Sequence, residues 1–208
     1  MKKIAVLISG SGSNLQAIID ATKSCFIQNA KIECVISNKR DAFGLKRAED
    51  NNIETLFLNS EGLSRQEYTQ KLCAKLDERN IDLICLAGFM LVLTDDIFPK
   101  YKNKILNIHP ALLPSFGGIG LYGKRVHQAV YESGVKVTGA TAHFVTKECD
   151  RGPIILQEVI NILDTDEPDD IAKKVLEIEH RIYPKAVKLF VEDKLQVNGN
   201  RVLIKNIS

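Results

Sequence analysis

An amide and an imidazole stand two residues apart in the run Asn107-Ile108-His109-Pro110. The run follows the apolar, strand-like Lys104-Ile105-Leu106 and stops at a residue with no N–H to continue a ladder. Alternate side chains of a strand share a face, so Asn107 and His109 project together while Ile108 points away. An amide can donate to an oxyanion, and an imidazole can move a proton near neutral pH. Together at one strand tip they suit acyl or formyl transfer. An imidazole in that role needs an orienting partner, and Asp150 is the best candidate. It lies in the polar loop Thr146-Lys147-Glu148-Cys149-Asp150-Arg151-Gly152-Pro153, between two apolar runs. Loops at sheet ends are where sites form, although on spacing alone a solvated aspartate is the simpler reading. His143 reads as a satisfied core residue, and His127, on a short helix, as a surface or supporting one. Glu179, beside His180, reads by spacing as part of a solvated helix face.

A second chemical signal is the turn Ser9-Gly10-Ser11-Gly12-Ser13-Asn14, between the first strand-like run and the first helical one. Glycines let the backbone approach an anion, and a helix N-terminus offers free N–H groups and a positive dipole end. Ser13 and Asn14 are good N-cap residues. A phosphate-bearing ligand is the natural reading; the plain alternative is a tight βα turn that needs small residues. The turn lacks the Gly-Lys-Ser/Thr ending of a P-loop. A dinucleotide fingerprint would need glycine where Leu15 stands and an acidic residue where Asn38-Lys39-Arg40 follows the second strand. Nicotinamide and flavin binding are therefore disfavoured. The run Leu86-Ala87-Gly88-Phe89-Met90-Leu91-Val92-Leu93 is apolar across a predicted strand end, and reads either as core or as a wall for a flat aromatic ligand.

These residues need a frame. Strands are predicted over Ile4–Ile8, Ile32–Ser37, Glu54–Leu58, Leu83–Leu86 and Ile105–Ile108. Helical periodicity fills Asn14–Ser24, Phe43–Asn51, Arg65–Arg79 and Asp95–Tyr101. Alternating β and α with wholly apolar strands predicts an α/β fold: a Rossmann-like, mostly parallel sheet with helices on both faces. The C-terminal half adds antiparallel elements. There an irregular loop, Pro110 to Gly123, precedes a helix at Lys124–Ser133 and strands at Val135–Val145 and Ile154–Ile160. A long helix starts near Pro168, with Pro184 expected to kink or end it. The tail Leu195–Ile204 carries the hairpin signal Asn198-Gly199.

Composition sets the outer limits. The 208 residues fit one domain over residues 1–208, and 45% apolar with 26% charged content is ordinary for a globular protein. A net charge of +2 is too small to suggest a nucleic-acid surface. The five cysteines, Cys25, Cys34, Cys73, Cys85 and Cys149, form no C-x-x-C pair, so neither a disulfide framework nor a zinc site is favoured and no metal is expected. The apolar run Ile4–Ile8 is too short for a signal peptide, and no run is long enough to span a membrane. A soluble, cytoplasmic protein acting on small molecules is expected, as monomer or homodimer.

Taken in order, these motifs identify a resemblance. Ile8-Ser9-Gly10-Ser11-Gly12-Ser13-Asn14-Leu15-Gln16, Leu86-Ala87-Gly88-Phe89-Met90, Asn107-Ile108-His109-Pro110 with Leu112-Leu113-Pro114, His143-Phe144-Val145, Asp150-Arg151-Gly152-Pro153-Ile154-Ile155, and Glu179-His180 with Tyr183-Pro184 run nearly end to end. The chain resembles the phosphoribosylglycinamide formyltransferases of purine synthesis. The resemblance implies the formyltransferase fold, 10-formyltetrahydrofolate as co-substrate and glycinamide ribonucleotide as acceptor. It implies Asn107, His109 and Asp150 as catalytic, and Gly12, Ser13, Asn14 and Glu179 as the nucleotide site. Arg65 would meet the folate glutamate, while Met90, Leu91, Val92, Leu93, Asn107, Thr146, Lys147, Glu148 and Cys149 would line the folate pocket. Leu91 departs from the pattern, since many relatives have arginine there, which would remove one polar anchor for the folate tail. Two rivals stand beside this reading: a formyltetrahydrofolate deformylase, and a non-catalytic phosphosugar-binding α/β protein.

Overall fold

The structure, a computed structural model, describes residues 1–205. It forms two compact units, Met1–Leu106 and a second from Asn107 onward. In the first unit, β1 (Lys2–Ile8), β2 (Ala30–Ser37), β3 (Glu54–Phe57) and β4 (Leu83–Leu86) alternate with α1 (Ser13–Lys23), α2 (Phe43–Asp50) and α3 (Arg65–Glu78). β1 pairs in parallel with β2 on one side and β4 on the other, and β2 pairs in parallel with β3. A strand with neighbours on both sides and helical layers about it must be apolar on both faces. Ile4 to Ile8 are accordingly all fully buried, as are Leu83, Ile84 and Cys85.

The segment expected as one helix over Asp95–Tyr101 opens instead as a 3₁₀ turn at Asp95–Ile97, followed by α4 (Phe98–Tyr101). Pro99 has no N–H to give the Asp95 carbonyl, so the helix cannot run unbroken from Asp95. The chain then enters β5 (Ile105–His109), whose tip begins the second unit.

In the second unit come α5 (Lys124–Glu132), β6 (Val137–Phe144), β7 (Ile154–Asn161), α6 (Pro168–Val191), β8 (Leu195–Asn198) and β9 (Arg201–Ile204). β6 and β7 are antiparallel, β9 joins β7 in parallel, and β8–β9 form the expected hairpin with Gly199 at φ 59°. The expected α/β class and its antiparallel C-terminal additions are both present. Pro184 does not end α6, which runs 24 residues through it. The lost hydrogen bond is outweighed because Ile182, Tyr183, Ala186 and Val187 on either side are fully buried, at roughly 1.5–3 kcal/mol for each large apolar side chain. Among the described residues no helix is long and apolar enough to cross a membrane.

Candidate active site

The tip of β5 holds the expected pair, and three neighbouring segments of the same unit converge on it. His109 is 4% exposed. Its Nε2 lies 2.8 Å from the Phe116 carbonyl, and its Nδ1 faces Asp150 Oδ2 at 3.7 Å. A carbonyl only accepts, so Nε2 carries a proton. At 3.7 Å the carboxylate orients the ring electrostatically and is beyond hydrogen-bond length. A second ring proton on Nδ1 would point at that carboxylate. The imidazole is thus held with one N–H anchored and its other nitrogen turned to a negative group.

Asp150 is itself fixed. Its Oδ2 accepts the Gly118 N–H at 2.9 Å, and its Oδ1 faces His143 Nε2 at 3.7 Å. Burial, then the Asp150 charge, pushes the neighbouring Cys149 thiol up to about 11, so the sulfur stays protonated and lies 3.6 Å from Asp150 Oδ2. Both Asp150 and Phe116 sit in the left-handed region, at φ 54° each. For residues with a Cβ this costs roughly 1–2 kcal/mol, and such strain gathers at functional sites. Here one strained residue aims a carbonyl at His109 and the other aims a carboxylate.

Asn107 Nδ2 donates to His143 Nε2 at 3.1 Å, while His143 Nδ1 donates to the Phe144 carbonyl at 2.9 Å. That tautomer requires a neutral His143, and burial does hold its imidazole below the ordinary value. One hydrogen of the Asn107 amide is used in this way and the other remains to be given. His143 is satisfied and buried as expected, yet it also orients Asn107. Thr141 shares its face of β6, two residues away. Its hydroxyl donates to the Ala111 carbonyl at 2.6 Å and accepts from Leu113 N–H at 3.0 Å and Gln157 Nε2 at 2.9 Å. Gln157 Nε2 also reaches the Leu113 carbonyl at 2.9 Å. Together they pin the segment that leaves His109.

The sequence reading did not anticipate Phe116, Gly118, Thr141 or Gln157. Phe116 and Gly118 act through the backbone, which has no residue signature. The alternation Thr141-Ala142-His143 was the one available signal. Of two bland readings, the solvated face of Glu179 is corrected and the surface alternative for His127 is set aside. His127 is buried at 8% exposure, because α5 packs against α6, and burial followed by the neighbouring His109 charge lowers its imidazole. Glu179 is not on a solvated face: it is 7% exposed on α6. Thr146, Lys147, Glu148 and Cys149 form the β6–β7 loop, where Thr146 Oγ1 donates to the Glu148 carbonyl at 3.2 Å.

The first unit holds its own cluster. Gly12, at φ 69°, is the residue before α1, and no side chain caps that helix. Ser13 and Asn14 open its first turn, at the positive end of the helix dipole. Ser9 ties this turn to the apolar run: its N–H donates to the Gly88 carbonyl, its hydroxyl to Asn38 Oδ1, and it accepts the Met90 N–H at 2.9 Å. Met90 and Val92 are 45% and 41% exposed, which sets aside the core reading for the end of that run, whereas Leu86 and Ala87 at its start are buried. Leu91 and Leu93 are half-buried beside them. The Thr94 N–H binds Thr69 Oγ1 at 3.2 Å and Tyr68 meets the Phe89 ring, so α3 backs the ledge. Arg65 is the first residue of α3 after a Ser64–Glu67 capping box, exposed, and makes no ion pair among the described residues. Among the described residues no three His, Cys, Asp or Glu side chains gather as a metal site would require.

Known proteins resemble this chain in sequence and in fold. Residues 2–187 match the family model described as Formyl transferase. The chain is 43% identical over 201 residues to a phosphoribosylglycinamide formyltransferase of Haemophilus influenzae, covering 96% of this chain and 92% of that protein. It is 43% identical over 196 residues to the Gallus gallus trifunctional purine biosynthetic protein adenosine-3, spanning 94% of this chain but only 19% of that longer protein. A solved structure of glycinamide ribonucleotide transformylase 1 from Symbiobacterium toebii superposes with a TM-score of 0.94 at 42% identity, over 99% of this chain and 95% of that one.

Proposed function

The chain belongs to the formyl transferase family, and from that premise we propose that it moves the formyl group of 10-formyltetrahydrofolate to the amine of N1-(5-phospho-D-ribosyl)glycinamide, a step of purine biosynthesis. The family match runs unbroken over residues 2–187, which supports one formyltransferase domain across 1–208. The single observation that carries the reading is the His109 imidazole held between the Phe116 carbonyl and Asp150, with the Asn107 amide alongside it.

The neutral acceptor amine attacks the formyl carbon, and the carbonyl oxygen gains charge. The free hydrogen of Asn107 donates to that oxygen, a donor of this kind being worth about 10²–10³ in rate, and a protonated His109 beside it stabilises the charge. Collapse breaks the bond to folate N10. The attacking nitrogen loses a proton and N10 gains one, and His109, with a water ordered by Asp150, carries the exchange for about 10²–10⁴ more. Gly12, Ser13 and Asn14 would hold the phosphate, and Glu179 the sugar or glycinamide end. Arg65, Met90–Leu93 and Thr146–Cys149 would take the folate, with Leu91 offering an apolar contact where an arginine would offer a polar one. The chemistry calls for no metal, and the reading places the enzyme in the cytoplasm with small-molecule substrates alone.

The test is kinetic. His109→Ala and Asp150→Asn should each lower kcat by about 10²–10⁴, with dissociation constants for both substrates little changed. Near-normal turnover in both variants would remove the assignment.

A further inference from the structure

A phosphate bound at the β1–α1 turn would meet only dipoles from the turn itself, since Ser9 to Asn14 include no cationic side chain. A phosphate monoester carries close to two negative charges at neutral pH, and sites that recognise one usually add a cation. We propose that Arg47 on α2 is that cation: its guanidinium binds the phosphate of the acceptor and sets the preference for a phosphorylated substrate. The inference deepens the proposed function and rests on its phosphate-bearing acceptor.

The fold brings Arg47 to the turn by a close approach of two glycines. The Gly44 N–H donates to the Gly10 carbonyl at 3.1 Å, and a Cβ on Gly12 would stand 2.6 Å from Gly44 Cα. Only glycine at both positions lets the start of α2 seat directly on the turn. Arg47 follows Gly44 by three residues and so lies on the same face of the helix. Its Cδ comes within 3.6 Å of the place a Gly12 Cβ would occupy.

The guanidinium is then oriented by three neutral groups. Nε donates to the Ser11 carbonyl at 2.9 Å, Nη1 donates to Gln16 Oε1 at 3.3 Å, and the Phe43 ring lies 4.9 Å from Cζ. Among the described residues Arg47 has no carboxylate partner, and its Nη2 makes no hydrogen bond. Arg79 and Arg181, by contrast, are each paired with a glutamate. A half-buried guanidinium held in place by neutral partners keeps its charge available to an anion. The P-loop supplies its cation from the turn; here the cation comes from the next helix in the chain, where no local motif announces it.

The competing explanation is that Arg47 merely staples the turn through Ser11. Three variants separate charge from staple. Arg47→Gln removes the charge but keeps a donor, Arg47→Met removes both, and Arg47→Lys keeps the charge in another shape. Steady-state formyl transfer is measured with the acceptor varied, folding is checked by thermal melting, and ribose 5-phosphate binding is measured by calorimetry. Arg47→Gln and Arg47→Met should raise the acceptor KM by about 10- to 100-fold, the range of a charge-assisted hydrogen bond. Their kcat and folate KM should hold, and Arg47→Lys should recover most of the loss. Wild-type-like acceptor KM in Arg47→Gln, or an equal loss on glycinamide riboside lacking the phosphate, would overturn the inference. Ribose 5-phosphate binding that is present in the wild type and lost in Arg47→Met would uphold the cation even if no formyl transfer were found. Formyl transfer with an unaffected Arg47→Met would reject the cation and leave the reaction standing.

Discussion

Asn107 and His109 are two residues apart on a strand, but what makes them usable is what each is bonded to. Asn107 spends one amide hydrogen on a neutral His143, which leaves the other for the oxygen it is proposed to meet. Replacing that donor with an acceptor should be costly. Asn107→Asp is expected to lose about 10²–10³ in kcat, with the Kd for a folate analogue far less affected; single-turnover rates alongside ligand titration check this. The pairing of Asn107 with His109 was legible from period-two alternation and a terminating proline. Asp150 was legible only as a polar residue in a loop between strands. The Phe116 carbonyl and Gly118 N–H that complete the arrangement were not legible, because a backbone group in a turn looks the same whatever the residue. Burial of Glu179 and His127 was missed for a related reason. Helical spacing marks a stripe, yet a polar residue at the stripe's edge can be taken in by a neighbouring element that only the tertiary fold supplies.

The segments around β5 act as a clamp. The stretch after His109 is pinned by Thr141 and Gln157, bends at Phe116, and closes on Asp150 through Gly117 and Gly118. A Cβ on Gly117 would lie 2.4 Å from Leu113 Cδ2 and 3.1 Å from Asp150 Cβ. The Leu113 methyl can rotate aside, whereas Asp150 would be displaced. Gly117→Ala should therefore fold and lose about 10- to 100-fold in kcat, the scale set by an ångström of misplacement. Gly152 provides the contrast: a Cβ there would fall 1.7 Å from the Phe144 carbonyl, which belongs to β6 and cannot yield. Gly152→Ala should destabilise the protein by about 3 kcal/mol or more, read as a lower urea midpoint. Element types and most boundaries followed from periodicity, to within a residue or two. Pro99 and Pro184 show a proline's effect depending on its setting. At Pro99 a short helix had nothing to hold it across the missing bond, whereas at Pro184 buried neighbours carried the helix through.

At the scale of the whole molecule, His127 and His143 are both buried with imidazoles held below their ordinary value, chiefly by desolvation. The unfolded chain binds protons at these positions near the ordinary value of 6.5 and the folded chain does not. Stability from this source is therefore complete above that pH and falls as pH drops below it. Urea midpoints should decline from neutrality toward pH 5, a window above the one in which paired carboxylates such as Asp166 titrate. His127→Gln should flatten that decline, and an unchanged slope would remove His127 from the account. The α/β class was readable because fully apolar strands alternating with helices admit few other arrangements. The glycine-rich β1–α1 turn was readable as a motif, while the approach of Arg47 to it was hidden because it arrives from a separate helix. All of these features serve one claim, that a formyl carbon passes from folate to an amine. The most direct measurement follows that carbon. With a ¹³C-formyl label on 10-formyltetrahydrofolate, the label should appear as an amide of glycinamide ribonucleotide, and only when that acceptor is present. Label released as free formate at the same rate without acceptor, or label left on the folate with both substrates present, would contradict it.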